Sequence, residues 1–301
     1  MSKRSSLATI FLVVFIDMLG FGIAIPLFAP LFLNADGILP ASYPLAMRTL
    51  LLGLMIAAYP VMQFFGAPML GALSDRIGRK KVFLISLAGT CAGYILTGLG
   101  VFLGNIWLLF LSRALDGFTG GNISVALSSI ADISEGKAKA RNFGLIGMAF
   151  GLGFILGPYA GGKLADPGVF SWFTFATPFW FAAILTLVNI VFVVFAFKET
   201  LRTPIAAPIS VLTGFRNLSK AFALPNLRAM FLVSFLLIFG FNFFTQFFQV
   251  FLIEKFNYGQ SQIGNLFAYI GLWIALAQGL IARPVASRVV PEKVLSFSLF
   301  C

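Results

Sequence analysis

Apolar residues run in long blocks along the 301-residue chain, separated by short polar breaks. A block of about 20 apolar residues is what a helix needs to cross the ~30 Å hydrocarbon core of a bilayer. The blocks predict membrane helices at 7–33, 48–73, 82–103, 105–131, 141–164, 172–197, 229–253 and 262–286, with a ninth starting near 293. The densest break is Gly71-Ala-Leu-Ser-Asp75-Arg76-Ile-Gly78-Arg79-Lys80-Lys81-Val82, a basic knot between two spans. It predicts a tight turn, with Gly71 and Gly78 allowing sharp backbone bends and Asp75 available to pair with a nearby cation.

Only one connection is long, residues 198–228 after the sixth span. Val211, Leu212, Phe215, Leu218 and Phe222 recur there at helical spacing with Arg216 and Lys220 between them. This predicts an amphipathic helix on the membrane face. After it the pattern begins again. Arg283-Pro-Val-Ala-Ser287-Arg288-Val-Val-Pro-Glu292-Lys293-Val294 is a worn copy of the knot, with Arg288, Lys293 and Val294 at the places of Arg76, Lys81 and Val82. The chain thus reads as an all-α polytopic membrane protein of two parallel six-helix bundles, the second incomplete. Residues 1–197 form the first bundle, 198–228 the linker and 229–301 the start of the second.

Composition agrees: 59% of residues are hydrophobic and 10% charged, against roughly 25% charged in a soluble domain. The net charge of +11 does not imply nucleic acid, because the cations sit in short links between apolar spans instead of on a polar surface. An N-terminus on the cytoplasmic side puts seventeen Lys and Arg inside, three outside (Arg48, Lys163 and Lys255) and Arg113 within a span. That asymmetry satisfies the positive-inside rule. Lys3-Arg4 and the following apolar run are read as an uncleaved first helix, too long for a signal peptide and interrupted by Asp17. Cys91 lies in an apolar run and Cys301 ends the chain, so no disulfide framework or zinc spacing arises. Histidine is absent, and no metal or cofactor is expected. No nucleophile–base pair or phosphate loop suggests an enzyme.

The charges inside spans are Asp17, Arg113 and Asp116. Each costs roughly 2.5–3.5 kcal/mol at a helix centre and so needs a partner or a wet cavity. At 1.5 Å per residue both acids lie ~15 Å deep, near the midplane. Midplane carboxylates suit proton coupling, and a change in the proximity of Arg113 would load or release a proton. The plainer alternative is that Arg113 and Asp116, at i and i+3, neutralise each other. Arg113, Asp116, Gly117, Gly120 and Ser124 share one inward face of span four. Span seven carries Asn242, Thr245, Gln246 and Gln249 on one face, either lining a central cavity or bonding neighbouring helices. Aromatics and amides there suggest an amphipathic organic substrate. In span five Gly144, Gly153, Gly157, Pro158, Gly161 and Gly162 predict a flat ridge for close helix contact, with a kink at Pro158.

These patterns resemble the major facilitator superfamily, and within it the twelve-helix drug:proton antiporters that include tetracycline efflux proteins. The knot from Gly71 to Lys81 is similar to the cytoplasmic loop signature of that family. Arg113-x2-Asp116-Gly117-x2-Gly120-Gly121 resembles its fourth-helix motif, with Asp116 where many members have Gln. Asp17-Met-Leu-Gly20-Phe-Gly22-Ile-Ala-Ile-Pro26 is similar to the first-helix pattern, and the span-five glycines to the antiporter motif. The resemblance implies alternating access around a midplane site. Gly71, Asp75, Arg76, Gly78 and Arg79 would form the cytoplasmic gate, with Asp75, Arg76 and Arg79 latching the two halves together through an eleventh helix. The expectation is a proton-coupled exporter of small amphipathic compounds in a bacterial inner membrane, a monomer when full length, whose partners are its substrate, protons and the bilayer. An uptake symporter or facilitator and a non-transporting remnant are the alternatives.

Overall fold

A backbone inside hydrocarbon must satisfy its N–H and C=O groups within the segment, and so the apolar blocks become helices. The structure, a computed structural model, describes residues 3–34, 37–135, 137–201, 203–204 and 209–276. The helices are α1 (Lys3–Leu33), α2 (Leu45–Ile77), α3 (Arg79–Phe102), α4 (Ile106–Thr119), α5 (Asn122–Ile133), α6 (Lys137–Leu164), α7 (Thr177–Ala196), α8 (Thr213–Phe222), α9 (Pro225–Phe256) and α10 (Gln260–Leu276). Six of them, α1, α2, α3, α6, α7 and α9, contain stretches long and apolar enough to cross a membrane. The predicted second basic turn at Arg283–Val294 and the ninth span lie outside the described residues.

Three expectations change. The fourth span is not one helix: α4 and α5 are separated at Gly120-Gly121. Both glycines are pressed by α2, since a Cβ on Gly120 would stand 2.5 Å from the Tyr59 hydroxyl and one on Gly121 2.7 Å from the Ala67 Cα. The carbonyls freed by the break are taken up locally: Gln63 Nε2 donates to Gly120 O at 3.0 Å and Ser124 Oγ to Gly121 O at 2.6 Å. The sixth span begins at Thr177, with Pro178 in its first turn, not at 172. Gly71 is not a turn residue. It lies inside α2, and the whole α2–α3 turn is Gly78, at φ +104°.

The first seven helices build one bundle. α1 packs mainly on α6 and α7, α3 on α4 and α7, and α2 on α4 and α5. One core centres on Leu27, Phe32, Met55, Leu109 and Phe179, the other on Ile10, Val13, Phe83, Leu87 and Val125. Asn105 caps α4, accepting from the N–H groups of Trp107 and Leu108. Arg48 is buried beyond the end of α1, donating to the carbonyls of Asn34, Pro40 and Tyr43 at 2.8, 2.9 and 3.1 Å and so fixing the first loop.

The amphipathic helix of the linker is present as α8. Its Phe215 ring meets that of Phe64 on α2 at 4.9 Å, yet Phe215, Leu218 and the capping Leu212 all stay exposed. α9 ends in a left-handed cap at Asn257, and α10 then returns along α6.

Candidate functional site

Arg113 and Asp116 lie one turn apart on α4, with guanidinium Nη2 2.6 Å from carboxylate Oδ2. Both are 3% exposed. The guanidinium carbon stands 5.4 Å from the Phe28 ring centroid and 5.6 Å from that of Tyr59. Asp116 also faces the Thr90 hydroxyl. Its side chain fits against α3 only because Gly93 has no Cβ, which would come within 2.8 Å of the Asp116 Cβ. Asp17, buried on α1, has Asn122 of α5 beside it and is within electrostatic reach of Asp116. The ionisable residues of spans one and four therefore converge in one cluster, with Tyr59 and Tyr94 close by. Arg113 Nε and both polar atoms of the Asn122 amide make no hydrogen bond.

A cavity of about 240 Å³ opens against Arg113. Phe21, Phe28, Tyr59 and Gln63 wall it from α1 and α2, and Asn242 and Gln249 from α9. A second cavity of about 330 Å³ shares Phe21, Tyr59, Gln63, Asn242 and Gln249 and extends to Thr245 and Phe267. The polar stripe of the seventh span thus lines the cavities through Asn242, Thr245 and Gln249, and its bonds run within α9 instead of to neighbouring helices. The Asn242 amide donates to Ile238 O at 2.8 Å and the Thr245 hydroxyl to Asn242 O at 3.1 Å, stitching them to their own helix. Gln249 is 3% exposed and bonds to nothing among the described residues. The Gln246 side chain lies outside the description.

The glycine ridge of α6 has two working faces. A Cβ on Gly153 would stand 2.6 Å from the Met18 Cβ, and one on Gly157 2.6 Å from the Gly22 Cα, while Gly161 abuts Ile23. That face lies on α1. Gly162 turns toward α10, where a Cβ would come within 2.6 Å of Gln260 O and 3.2 Å of the Gly264 Cα, and the Pro158 carbonyl abuts Gly264. Gly144 meets nothing within 4 Å. The helix continues through Pro158.

At the basic face, Arg79 is buried within the first bundle. It reaches Asp75 Oδ1 at 2.6 Å, Ser74 Oγ at 2.6 Å and Asp132 Oδ2 at 3.0 Å. Glu199 accepts from the N–H groups of Arg79 and Lys80 at 2.9 and 3.1 Å, holding the start of α3, where exposed helical N–H groups favour an anion. Thr200 closes the ring by donating to Asp132 at 3.3 Å, and Lys80 Nζ donates to Val194 O at 2.7 Å. Gly71 passes Ser124 at ordinary contact, and Arg76 is exposed.

The sequence model of the Major Facilitator Superfamily matches residues 10–301. The chain belongs to this superfamily. It is 32% identical over 294 residues to the class C tetracycline resistance protein of Escherichia coli, an alignment covering 96% of this chain and 69% of that one. To the class B protein of Escherichia coli it is 40% identical over 151 residues, 50% of this chain and 35% of that one. Among solved structures, the human organic anion transporter MFSD10 superposes with a TM-score of 0.71 at 26% identity, covering 95% of this chain and 74% of that one. A D-xylose-proton symporter shares the fold, with a TM-score of 0.64 at 17% identity.

Reading a member of the superfamily by its charges alone misses neutral and partner residues. Tyr59 and Gln63 lie four apart on α2 and wall the cavity; a glutamine inside an apolar span was the available signal. Asp132 and Glu199 close the basic-face ring from positions that read as helix ends. Nothing in their spacing to Arg79 announces it.

Proposed function

We propose that this superfamily member exports small amphipathic organic compounds in exchange for protons by alternating access. One observation carries the reading. Asp17, Arg113 and Asp116 form a buried cluster, and Arg113 walls a cavity to which both the first bundle and α9 contribute. An acid at that depth is stable only with a partner or water, and a site between two bundles is what rocking exposes to one side and then the other. The tetracycline resistance relatives support export. The excess of Lys and Arg in the basic-face loops supports a cytoplasmic N-terminus, and the Escherichia coli relatives support a bacterial inner membrane. In this reading Asp17 and Asp116 carry the proton, and Asn242 and Gln249 line the substrate path. Asp75 and Arg79 hold the basic-face ring that presents Arg76 to the second half, and Gly162 of α6 seals the bundle against α10.

The test uses the full-length protein in liposomes loaded with tetracycline. An inward proton gradient should drive drug out, and drug efflux should bring protons in. Accumulation of added substrate with no linked proton movement would overturn export and favour a facilitator.

A further inference from the structure

We propose that the cavity beside Arg113 takes an aromatic organic anion, whose acidic oxygens are held by Arg113 and Gln249. This rests on reading the cavity as the substrate site and adds the charge of the substrate. Four observations support it. The Arg113 guanidinium lies over the Phe28 and Tyr59 rings, and both rings wall the cavity. A guanidinium flanked by aromatic faces still has its in-plane N–H donors to place. Asp116 meets it at Nη2, and Nε is left buried with no acceptor. Such an orphaned donor is costly until an oxygen meets it.

The second observation comes from the other half. Gln249, nearly fully buried on α9, also lines the cavity and has no partner among the described residues. Arg113 from the first bundle and Gln249 from α9 thus line one space. Third, no carboxylate belongs to the wall: Asp17 and Asp116 both stand outside it. A ligand ammonium in the cavity would stand against the guanidinium, whose carboxylate partner Asp116 is not part of the wall. Fourth, Phe21, Phe28 and Tyr59 line the space and give it apolar surface for a flat ring. At about 240 Å³ the space is small beside the roughly 300–1,000 Å³ of ligand pockets generally, which suits one or two fused rings.

The experiment compares three molecules of one shape, 1-naphthoate, 1-naphthalenemethanol and 1-naphthylmethylammonium. Equilibrium binding to the purified full-length protein is measured in nanodiscs with no gradient. Naphthoate should bind at least tenfold more tightly than the alcohol, and the ammonium more weakly than either. Gln249→Leu should weaken naphthoate severalfold and leave the alcohol within twofold. Because Arg113→Gln alone would strand Asp116, the second variant is Arg113→Gln with Asp116→Asn, which should bring naphthoate and alcohol within twofold of each other. Equal or tighter binding of the alcohol or the ammonium in the parent protein would overturn the proposal, as would a naphthoate preference that survives the double variant. A proton gradient applied in parallel separates the two readings. Naphthoate bound but never moved would sink export and keep the site; a neutral dye exported while naphthoate is ignored would sink the site and keep export.

Discussion

Replacing Gly78 by alanine should destabilise the first bundle by about 2–4 kcal/mol. Gly78 holds φ +104° and ψ 150°, and it is the whole connection between α2 and α3. Side chains other than glycine's scarcely enter that region, and forcing one there costs about 1–3 kcal/mol. The added Cβ would also stand 2.5 Å from Glu199 Oε2, driving the carboxylate off the N–H groups of Arg79 and Lys80. Glu199 is exposed, so that loss is taken at about 1 kcal/mol, the value of an ordinary hydrogen bond and below that of a buried charged one. The measurement is equilibrium unfolding of the purified protein in mixed micelles, titrated with SDS and followed by far-UV circular dichroism. The two contributions separate in a cycle. In a Glu199→Ala background the collision disappears and the backbone strain stays, so the alanine penalty should fall but remain above about 1 kcal/mol. A Gly78→Ala protein within about 0.5 kcal/mol of the parent, the range of an ordinary surface change, would refute the argument.

Other expectations use the same unfolding assay or the liposome exchange. Gly157→Ala drives a methyl into the Gly22 Cα, 2.6 Å from its ideal position, and should cost about 1–3 kcal/mol as overpacking; Gly144→Ala, facing open space, should be neutral or stabilising by up to about 1 kcal/mol. Arg79→Gln leaves Asp132 and Asp75 without their cation and should cost about 2–3 kcal/mol, below the figure for a fully buried pair because both acids are partly wet. Gln63→Leu strips the partner from the Gly120 carbonyl and should cost about 1–3 kcal/mol, with drug exchange impaired at matched protein amounts. Asp17→Asn should abolish drug-linked proton entry while substrate counterflow persists; unchanged proton flux would move the essential acid to Asp116.

The spans that became α1, α2, α3, α6, α7 and α9 and the converging charges were legible because hydropathy and charge cost in hydrocarbon are local properties of the chain. Asp17, Arg113 and Asp116 announce themselves as the charges with nowhere else to go. The break in the fourth span was not legible. Gly120-Gly121 inside an apolar run reads equally well as a smooth helix face, and what decides is Tyr59 and Gln63 arriving from α2. The glycines of α6 were read as a packing ridge, but no pattern within one helix names the partner. Only the placement of Gly22 and Gly264 divides them between α1 and α10. Gly71 misled because two glycines flank the basic knot and only one turns. For Glu199, the pairing spans more than a hundred residues of chain, and a charge just past an apolar block has many uses.

The α6 seam has a mechanical consequence. Where Gly153, Gly157 and Gly162 meet α1 and α10, the contact at the glycines is largely backbone against backbone. An interface built of long side chains must unlock and re-seat rotamers to change register, each at an entropic and enthalpic toll. A seam of glycines has no rotamers to re-seat. Displacement of α10 along α6 at Gly162 is therefore opposed by dispersion, which varies smoothly with position, and by the flanking hydrogen bonds from Lys163 to Ser261 and from Gln260 to the Ala165 carbonyl.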